Sequence, residues 1–180
     1  MSAIDRLREG DAVARLTARD ATLFSDDAAV QAKVANRLGW LELALGASDH
    51  IADLTKLADE FAEGATDLLL LGMGGSSLAP LVMERIIGVT PGRPRLHVLD
   101  TTSPVRIAPL LETLDPAATR VLVASKSGGT IEPMSLYAIV RAWLERTLSR
   151  EETGSRCVAI TDPGMSLEQL AERDLFHAVV

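Results

Sequence analysis

One stretch decides the fold, and it reads Leu122-Val123-Ala124-Ser125-Lys126-Ser127-Gly128-Gly129-Thr130-Ile131-Glu132-Pro133. Its first part belongs to a continuous apolar run from Val121 to Ala124, which is typical of a strand covered on both faces. Its last part starts a helix, because apolar residues then recur at three-to-four spacing and Pro133 falls in the first turn, where proline is favoured. The stretch therefore predicts a strand, a short polar loop and a helix.

The loop between this strand and this helix carries hydroxyl, ammonium and glycine residues. They are Ser125, Lys126, Ser127, Gly128, Gly129 and Thr130. The first free N–H groups of a helix converge at its N-terminus, where the helix dipole favours an anion. Glycine lets the main chain approach a ligand closely, and lysine adds a compact positive charge. The loop therefore predicts a phosphate-binding site.

Short apolar runs alternate with helical patterns from Asp67 to the end of the chain. Strands are predicted at residues 68–71, 96–99, 121–124, 156–161 and 176–180. Strands that alternate with helices favour a parallel sheet with right-handed crossovers. The predicted fold is therefore α/β, with a five-stranded parallel, doubly wound sheet flanked by helices. Ligands of such sheets bind beyond the carboxyl ends of the strands, where the polar loop falls.

Helical patterns also precede the sheet. A weakly amphipathic segment over residues 4–17 is interrupted by Gly10, so we expect a frayed or broken helix there. A further helix is predicted from about residue 49 to residue 62. We expect residues 1–64 to form an N-terminal helical extension and residues 65–180 to form the sheet domain.

Two local patterns make finer predictions within the sheet domain. Ser103-Pro104 begins a helical segment, and Pro109 inside that segment is expected to break or kink it, since proline removes an intrahelical hydrogen bond. Ser166, followed three residues later by Gln169, has the spacing of a capping box and predicts the start of the last helix.

Composition sets limits on the class of protein. The chain has 180 residues, a net charge of −7 and 47% hydrophobic residues, which is a globular composition with no general attraction for nucleic acid or an anionic membrane. No signal-peptide pattern opens the chain, and its apolar runs fall far below membrane-spanning length. The single cysteine, Cys157, fits a reducing compartment, so we expect a cytoplasmic protein. Because Cys157 lies in an apolar run, we interpret it as a core side chain.

A second glycine-rich loop follows the four leucines at 68–71. It reads Gly72-Met73-Gly74-Gly75-Ser76-Ser77. One interpretation is a dinucleotide site, because G-x-G-x-x-G turns tightly under a pyrophosphate and Asp100 ends the next strand, where a ribose-binding acid would lie. The sixth position is Ser77 instead of glycine, which weakens that match. Two hydroxyl-rich loops on one sheet favour a sugar phosphate gripped between them.

The two loops together resemble a known family. The first loop with Leu78-Ala79-Pro80 behind it, and the second with Ile131-Glu132-Pro133 behind it, are similar to the sugar isomerase (SIS) domain of glucose-6-phosphate isomerases. The resemblance is closest to the isomerase part of the bacterial bifunctional transaldolase/glucose-6-phosphate isomerases, which residues 96–104 and 159–164 also resemble. It extends from about Arg19 to the end of the chain. It implies a flavodoxin-like N-terminal SIS domain from a two-SIS enzyme of glycolysis and gluconeogenesis.

The resemblance implies which residues hold glucose 6-phosphate or fructose 6-phosphate. Phosphate contacts carry over to residues of both loops, namely Gly75, Ser76, Ser77, Ser125, Lys126, Ser127, Gly128, Gly129 and Thr130. Glu132 is implied near the sugar end of the pocket. Gly128 and Gly129 stand where many family members carry bulkier or hydroxylated residues, so one phosphate contact is expected to pass to backbone N–H groups.

The same resemblance places the family's glutamate base and histidine in a second SIS domain and the C-terminal region, beyond residue 180. No catalytic residue is therefore expected within this chain, which we predict to be inactive alone and to pair with a second SIS domain; a homodimer is left open. No cofactor is implied, and no ligand spacing suggests a metal. His50, His97 and His177 lie in or beside apolar elements and are interpreted as packing or surface residues.

Two other functions stay as alternatives at this point. A non-catalytic SIS module would change the binding of a partner when a phosphosugar docks. A nicotinamide-dependent enzyme would bind NAD through the first loop and Asp100. A second SIS domain in the same protein would favour the isomerase, and a DNA-binding or partner domain would favour the phosphosugar sensor. NAD binding that is lost on Asp100→Ala would favour the nicotinamide-dependent enzyme.

Overall fold

The structure, a computed structural model, describes residues 2–180 apart from the side chains at positions 42, 44, 45 and 47. The chain divides into two compact units, Met1–Leu57 and Ala58–Val180. This division falls within a helix, a few residues before the predicted domain boundary at residue 64, and that boundary stays a prediction.

The first unit is helical. Helix α1 spans Ala3–Glu9, helix α2 spans Ala12–Thr17, and a 3-10 turn follows at Ala21–Leu23. Between α1 and α2 the chain turns at Gly10, and Asp11 adopts a left-handed φ of 47°. The expected broken helix is therefore confirmed.

Two longer helices complete the first unit. Helix α3 spans Ala28–Arg37 and is capped by the Asp27 carboxylate, which accepts hydrogen bonds from two N–H groups of the first turn. Helix α4 spans Trp40–Ala62, and its last turns belong to the second unit. The predicted start near residue 49 is wrong, because leucine and alanine, which are strong helix formers, are frequent in the preceding residues and extend the helix backwards.

The second unit alternates strands and helices. Its strands are β1 Asp67–Gly72, β2 Arg95–Leu99, β3 Thr119–Ala124, β4 Cys157–Ile160 and β5 Ala178–Val179. Its helices are α5 Gly75–Ile87, α6 Pro104–Thr113, α7 Ile131–Leu144, α8 Arg150–Ser155 and α9 Ser166–Arg173, with a 3-10 turn at Pro116–Ala118. The five predicted strands are all present, and the predicted α/β fold is confirmed. Helix α8 was not predicted.

The strands form one parallel sheet in the order β2-β1-β3-β4-β5. From β1 the chain crosses to β2 on one side, whereas β3 is followed by β4 and β5 on the other. The direction of winding therefore reverses between β1 and β3. Open α/β sheets bind ligands in the crevice beyond the carboxyl ends of the strands at such a switch point.

The core is aliphatic and centres on β1, β3 and α7. The fully buried side chains of these three elements include Leu69, Leu71, Val121, Val123, Leu136, Val140 and Leu144. Truncating a leucine of this kind to alanine costs about 2–5 kcal/mol of stability, because a cavity is left behind. The two strands that lead to the crevice are therefore among the most firmly held parts of the chain.

Of the break or kink predicted at Pro109, the break is wrong. Helix α6 continues through Pro109 to Thr113. The proline removes one intrahelical hydrogen bond, the one to the carbonyl of Val105. Val105 is 81% exposed, so water can reach its carbonyl and replace the lost bond.

The predicted capping box at Ser166 and Gln169 is also wrong. The N-cap of α9 is Met165, and it makes no side-chain capping bond. The Ser166 hydroxyl instead donates to the carbonyl oxygen of Gly128, at 2.7 Å. Ser166 therefore bonds a residue 38 positions earlier in the chain, and not a residue of its own helix.

Cys157 is confirmed as a core side chain, since it is completely buried. Its thiol donates to the carbonyl of Thr153, and burial raises the pKa of the thiol to about 12. Across the described residues, no helix is both long and apolar enough to cross a membrane. In the same part of the chain, no three carboxylate, imidazole or thiol side chains converge as metal ligands.

Candidate functional site

The two glycine-rich loops leave the sheet side by side. Strands β1 and β3 are adjacent, and their last residues, Gly72 and Ala124, are partners in the register. Neighbouring strands lie about 4.8 Å apart, so the loops begin within one strand spacing of each other. This brings together the two phosphate-binding motifs that the sequence predicts, at the switch point of the sheet.

The first loop turns tightly into α5. Gly74 adopts φ 53° and ψ −121°, a conformation that glycine readily allows. A Cβ at Gly72 would lie 3.0 Å from the backbone oxygen of Ser76, so the close approach of strand and helix requires glycine there. Ser76 is half-buried at the start of α5. Ser77 is buried, and its hydroxyl donates to the carbonyl of Gly74, which stabilises the turn.

The second loop holds two hydroxyl groups facing each other. Ser125 is almost completely buried at the end of β3, and its hydroxyl lies 3.4 Å from that of Thr130. Lys126 is exposed, and its Nζ lies 4.0 Å from a carboxylate oxygen of Asp162. Gly128 is buried with a left-handed φ of 65°, and its N–H donates to the carbonyl of Ser125. The hydrogen bond from Gly128 to Ser125 closes the loop into a turn. The side chains of this turn present hydroxyl and ammonium groups.

Neither helix at the crevice is capped by the side chain of its own N-cap residue. The N-cap of α5 is Gly74, which has no side chain, and the N-cap of α7 is Thr130, whose hydroxyl makes no capping bond. Helices α1 and α8 carry complete capping boxes at Ser2 and Ser149, whereas α2, α6 and α9 also begin without a side-chain capping bond. In α5 the N–H groups of Ser76 and Ser77 already donate to the carbonyls of Met73 and Gly74. The Gly75 N–H, together with the first N–H groups of α7, is therefore the donor available to an anion placed between the loops.

A third segment, the connection from β4 to α9, packs against the second loop. The carbonyl oxygen of Lys126 accepts from the Thr161 hydroxyl at 3.3 Å and from the Asp162 N–H at 3.2 Å. The Gly128 carbonyl accepts from Ser166. The sequence places residues 162–164 at the ligand-binding edge of the sheet and includes residues 159–164 in the family resemblance, but it assigns none of them a contact. The available signal was its position, because it follows β4 at the same edge of the sheet.

Two further residues that the sequence singles out, Glu132 and Asp100, belong to segments that follow the carboxyl ends of β3 and β2. Glu132 is half-buried in the first turn of α7. Asp100 follows β2, at the carboxyl edge of the sheet but beyond β1 from the second loop. The place of Glu132 at the sugar end of the pocket stays a prediction.

The histidines are packing or surface residues, as interpreted. His97 hydrogen-bonds Asp67 at 2.7 Å, and His177 packs its ring 5.3 Å from that of Phe61, while His50 is exposed. Burial acts to raise the pKa of Asp67, but hydrogen bonds from Thr66 and His97 outweigh it and leave that pKa below its usual value.

A family model for phosphoglucose isomerase matches residues 11–171. The chain belongs to the phosphoglucose isomerase family. Among curated proteins, it is 32% identical to a glucose-6-phosphate isomerase of Rubrobacter xylanophilus over 135 residues, which cover 70% of this chain and 31% of that protein. It is also 32% identical to a glucose-6-phosphate isomerase of Brucella abortus over 122 residues, covering 62% of this chain and 22% of that protein.

Solved structures of the same fold extend the comparison. A hypothetical protein of Thermus thermophilus superposes with a TM-score of 0.71 and 28% identity, over 96% of this chain and 39% of that one. A glucose-6-phosphate isomerase of Chlamydia trachomatis, at 24% identity and a TM-score of 0.64, shares the fold over 91% of this chain and 29% of that one. This member of the phosphoglucose isomerase family thus spans about a third or less of the length of these two curated relatives.

Proposed function

We propose that this chain is the sugar-phosphate-binding part of a glucose-6-phosphate isomerase, the enzyme that interconverts glucose 6-phosphate and fructose 6-phosphate. One observation carries the proposal. Two helices whose starts lack a side-chain cap, α5 and α7, follow the register-paired residues Gly72 and Ala124 at the switch point of the sheet. Membership of the phosphoglucose isomerase family supplies the chemistry that fits such an anion site.

The phosphate dianion is held from two sides in this proposal. The first loop contributes the N–H of Gly75 and the hydroxyl of Ser76, and Ser77 shapes the turn beneath them. The second loop contributes groups from Ser125, Lys126, Ser127, Gly129 and Thr130, and Gly128, whose N–H donates to the Ser125 carbonyl, shapes the turn between them. Hydrogen bonds to a charged acceptor are stronger than those between neutral groups, so several such donors suffice for specific binding.

The sugar extends from the phosphate past Glu132. Aldose–ketose isomerisation moves a proton between adjacent carbons through an enediol, which needs a carboxylate base and a group that opens the ring. We place both in a second SIS domain of the complete enzyme, which would pair with this chain. The chain alone is then expected to bind the sugar phosphate without converting it. The likeness to the transaldolase fusions, a cytoplasmic location and a homodimer stay predictions.

Calorimetric titration with glucose 6-phosphate and 6-phosphogluconate tests the proposal. The wild type should bind both ligands, and Ser125→Ala/Thr130→Ala should bind them at least about tenfold more weakly, since hydrogen bonds to a charged group are lost. Thr113→Ala/Ser155→Ala is the matched control, because both hydroxyls donate to carbonyls of their own helices at 2.7 and 2.9 Å. Equal affinities for the wild type and the first double variant would contradict the proposal.

An activity measurement separates the isomerase from its alternatives. Conversion of fructose 6-phosphate to glucose 6-phosphate by the isolated chain should be undetectable. Robust turnover would show that a base lies within this chain, and saturable NAD binding lost on Asp100→Ala would favour the nicotinamide-dependent enzyme instead. Restoration of turnover by the remaining part of a family isomerase would favour the enzyme over a phosphosugar sensor.

A further inference from the structure

We propose that Ser166 is a positioning residue, which aims backbone N–H groups of the second loop at the phosphate. This inference rests on the proposed function and names a residue outside both glycine-rich loops. The residue lies at the start of α9, and its hydroxyl donates to the carbonyl oxygen of Gly128 at 2.7 Å. It does not touch the ligand in this proposal, and it acts through the loop.

Two carbonyl groups of the loop are turned toward the β4–α9 connection. The Lys126 carbonyl accepts from the hydroxyl of Thr161 and the N–H of Asp162, and the Gly128 carbonyl accepts from Ser166. Alternate peptide units of the loop are therefore anchored on the same neighbour. Of the three hydrogen bonds, the one from Ser166 is the shortest. The peptide unit between Gly128 and Gly129 is therefore held more closely than the one between Lys126 and Ser127.

The direction of the carbonyls fixes the direction of the amides. In a trans peptide the C=O and the N–H of one plane point opposite ways. The Lys126 carbonyl shares its plane with the Ser127 N–H, and the Gly128 carbonyl shares its plane with the Gly129 N–H. Strand β3 lies between β1 and β4, and in this proposal the N–H groups that face away from the β4–α9 connection face the β1 side. The first glycine-rich loop lies there, and the phosphate would lie between.

The contact between the loop and α9 is too close for any side chain at Gly128. A Cβ there would lie 2.7 Å from the backbone nitrogen of Leu167 and 3.0 Å from that of Ser166. Leu167 is itself completely buried, which fixes the start of α9 in the core. The backbone that carries the Ser166 hydroxyl is therefore held in place by the core. Because residue 128 has no side chain, this part of the loop meets the phosphate through its backbone in this proposal, and Ser166 sets the geometry of that contact.

The use of the hydroxyl supports this assignment. A serine at an N-cap usually accepts a hydrogen bond from an N–H of the first turn, but Ser166 lies one residue further on, behind the N-cap Met165. Ser166 makes its bond to the loop instead, and α9 is left without a side-chain cap. The Gly129 N–H, which this bond orients, donates to Ser127 Oγ at 3.5 Å, at the outer limit for a hydrogen bond. An incoming oxyanion would offer it a better acceptor.

Calorimetric titration of four proteins with 6-phosphogluconate and with inorganic phosphate tests the inference. Ser166→Ala should weaken the binding of both ligands by a similar factor, about three- to fivefold, because the two share the phosphate group. Ser166→Thr keeps the hydroxyl and should restore the affinity. Ser155→Ala deletes a hydroxyl that donates to the carbonyl of Glu152 at 2.9 Å, away from the loops, and should bind as the wild type does.

Amide NMR spectra add a readout that general destabilisation would not reproduce. In the wild type, the Ser127 and Gly129 amide resonances should shift strongly on addition of ligand, and in Ser166→Ala the shift of Gly129 at saturation should fall most. Wild-type affinity in Ser166→Ala, or no rescue in a folded Ser166→Thr, would overturn the inference alone. Failure of the wild type to bind either ligand would overturn the proposed function, and this inference with it.

Discussion

Gly128 and Leu167 lie so close that a Cβ on residue 128 would stand 2.7 Å from the backbone nitrogen of Leu167. Gly128 also has φ 65°, in the left-handed region that other residues adopt at a cost. Gly128→Ala should therefore lower the free energy of unfolding by roughly 2–4 kcal/mol, from the sum of strain and overpacking. Urea denaturation followed by circular dichroism measures this loss.

Gly129→Ala provides the matched control. A Cβ on residue 129 would meet nothing closer than the Ser127 carbonyl oxygen at 3.9 Å, which is ordinary contact. This variant should change stability by less than about 1 kcal/mol. Equal losses for the two alanine variants would show that the close packing on α9 is not what requires glycine at 128.

The sheet was predictable because each strand carries its own signal. Leu68 to Leu71 and Val121 to Ala124 are apolar runs too short for helices, and both are followed by glycine-rich turns. That these strands run parallel in one sheet follows from general rules for alternating strands and helices, but the strand order that makes them neighbours was not predicted. The limits of the helices were less predictable. Helix α4 begins at Trp40 and not near residue 49, because the leucines and alanines before residue 49 favour helix and leave no local sign of where it begins.

The two loops of the candidate site were predictable from residue type, but their surroundings were not. Ser166 and Gln169 have the spacing of a capping box, yet the serine bonds Gly128, far away in the chain. Local spacing cannot reveal a competing partner of this kind. The partner is set by the order of strands, which brings the loop after β3 beside the connection after β4.

Asp174 is the buried anchor of an ion-pair network. Its carboxylate is 2% exposed and accepts from Tyr137 at 3.0 Å, Arg141 at 2.9 Å and Arg173 at 3.1 Å. Asp174→Asn should lower the free energy of unfolding at pH 7 by about 3 kcal/mol, because the arginines lose their buried counter-charge. Glu145→Gln, which removes an exposed carboxylate from the same Arg141, should cost less than about 1 kcal/mol.

The effect of Asp174→Asn should depend on pH. Burial acts to raise the pKa of Asp174, but hydrogen bonds from Arg173 and Tyr137 and the charge of Arg141 outweigh it and lower that pKa. A carboxyl with a lowered folded-state pKa stabilises the fold above its unfolded-state pKa, near 3.9, and loses this contribution as the pH falls toward the folded-state value. Urea midpoints should therefore differ between wild type and variant at pH 7, begin to converge below about pH 4 and meet once the pH is below the folded-state pKa of Asp174. A constant difference would contradict the charge-based account.

Cys157 should resist thiol reagents as long as the chain is folded. Its side chain is completely buried, and its pKa is raised to about 12. At pH 8 only on the order of one thiol in ten thousand is then ionised, and the thiolate is the reactive form. Ellman's reagent should label the native chain slowly and the urea-unfolded chain at the rate of a free thiol. Fast labelling of the native chain would show that the sheet opens locally near β4.

Asp162 should oppose the binding of a phosphate by Lys126. Its carboxylate lies 4.0 Å from the Lys126 Nζ, and both side chains are more than half exposed. Asp162→Asn removes this competing charge but keeps the backbone N–H that anchors the loop. Affinity for 6-phosphogluconate should therefore rise about two- to threefold at low salt, and the gain should vanish at high salt, which screens exposed charges. Asp162→Glu keeps the charge and should bind as the wild type does. Weaker binding by Asp162→Asn at both salt concentrations would mean that the carboxylate holds Lys126 in its binding position, which is the opposite role.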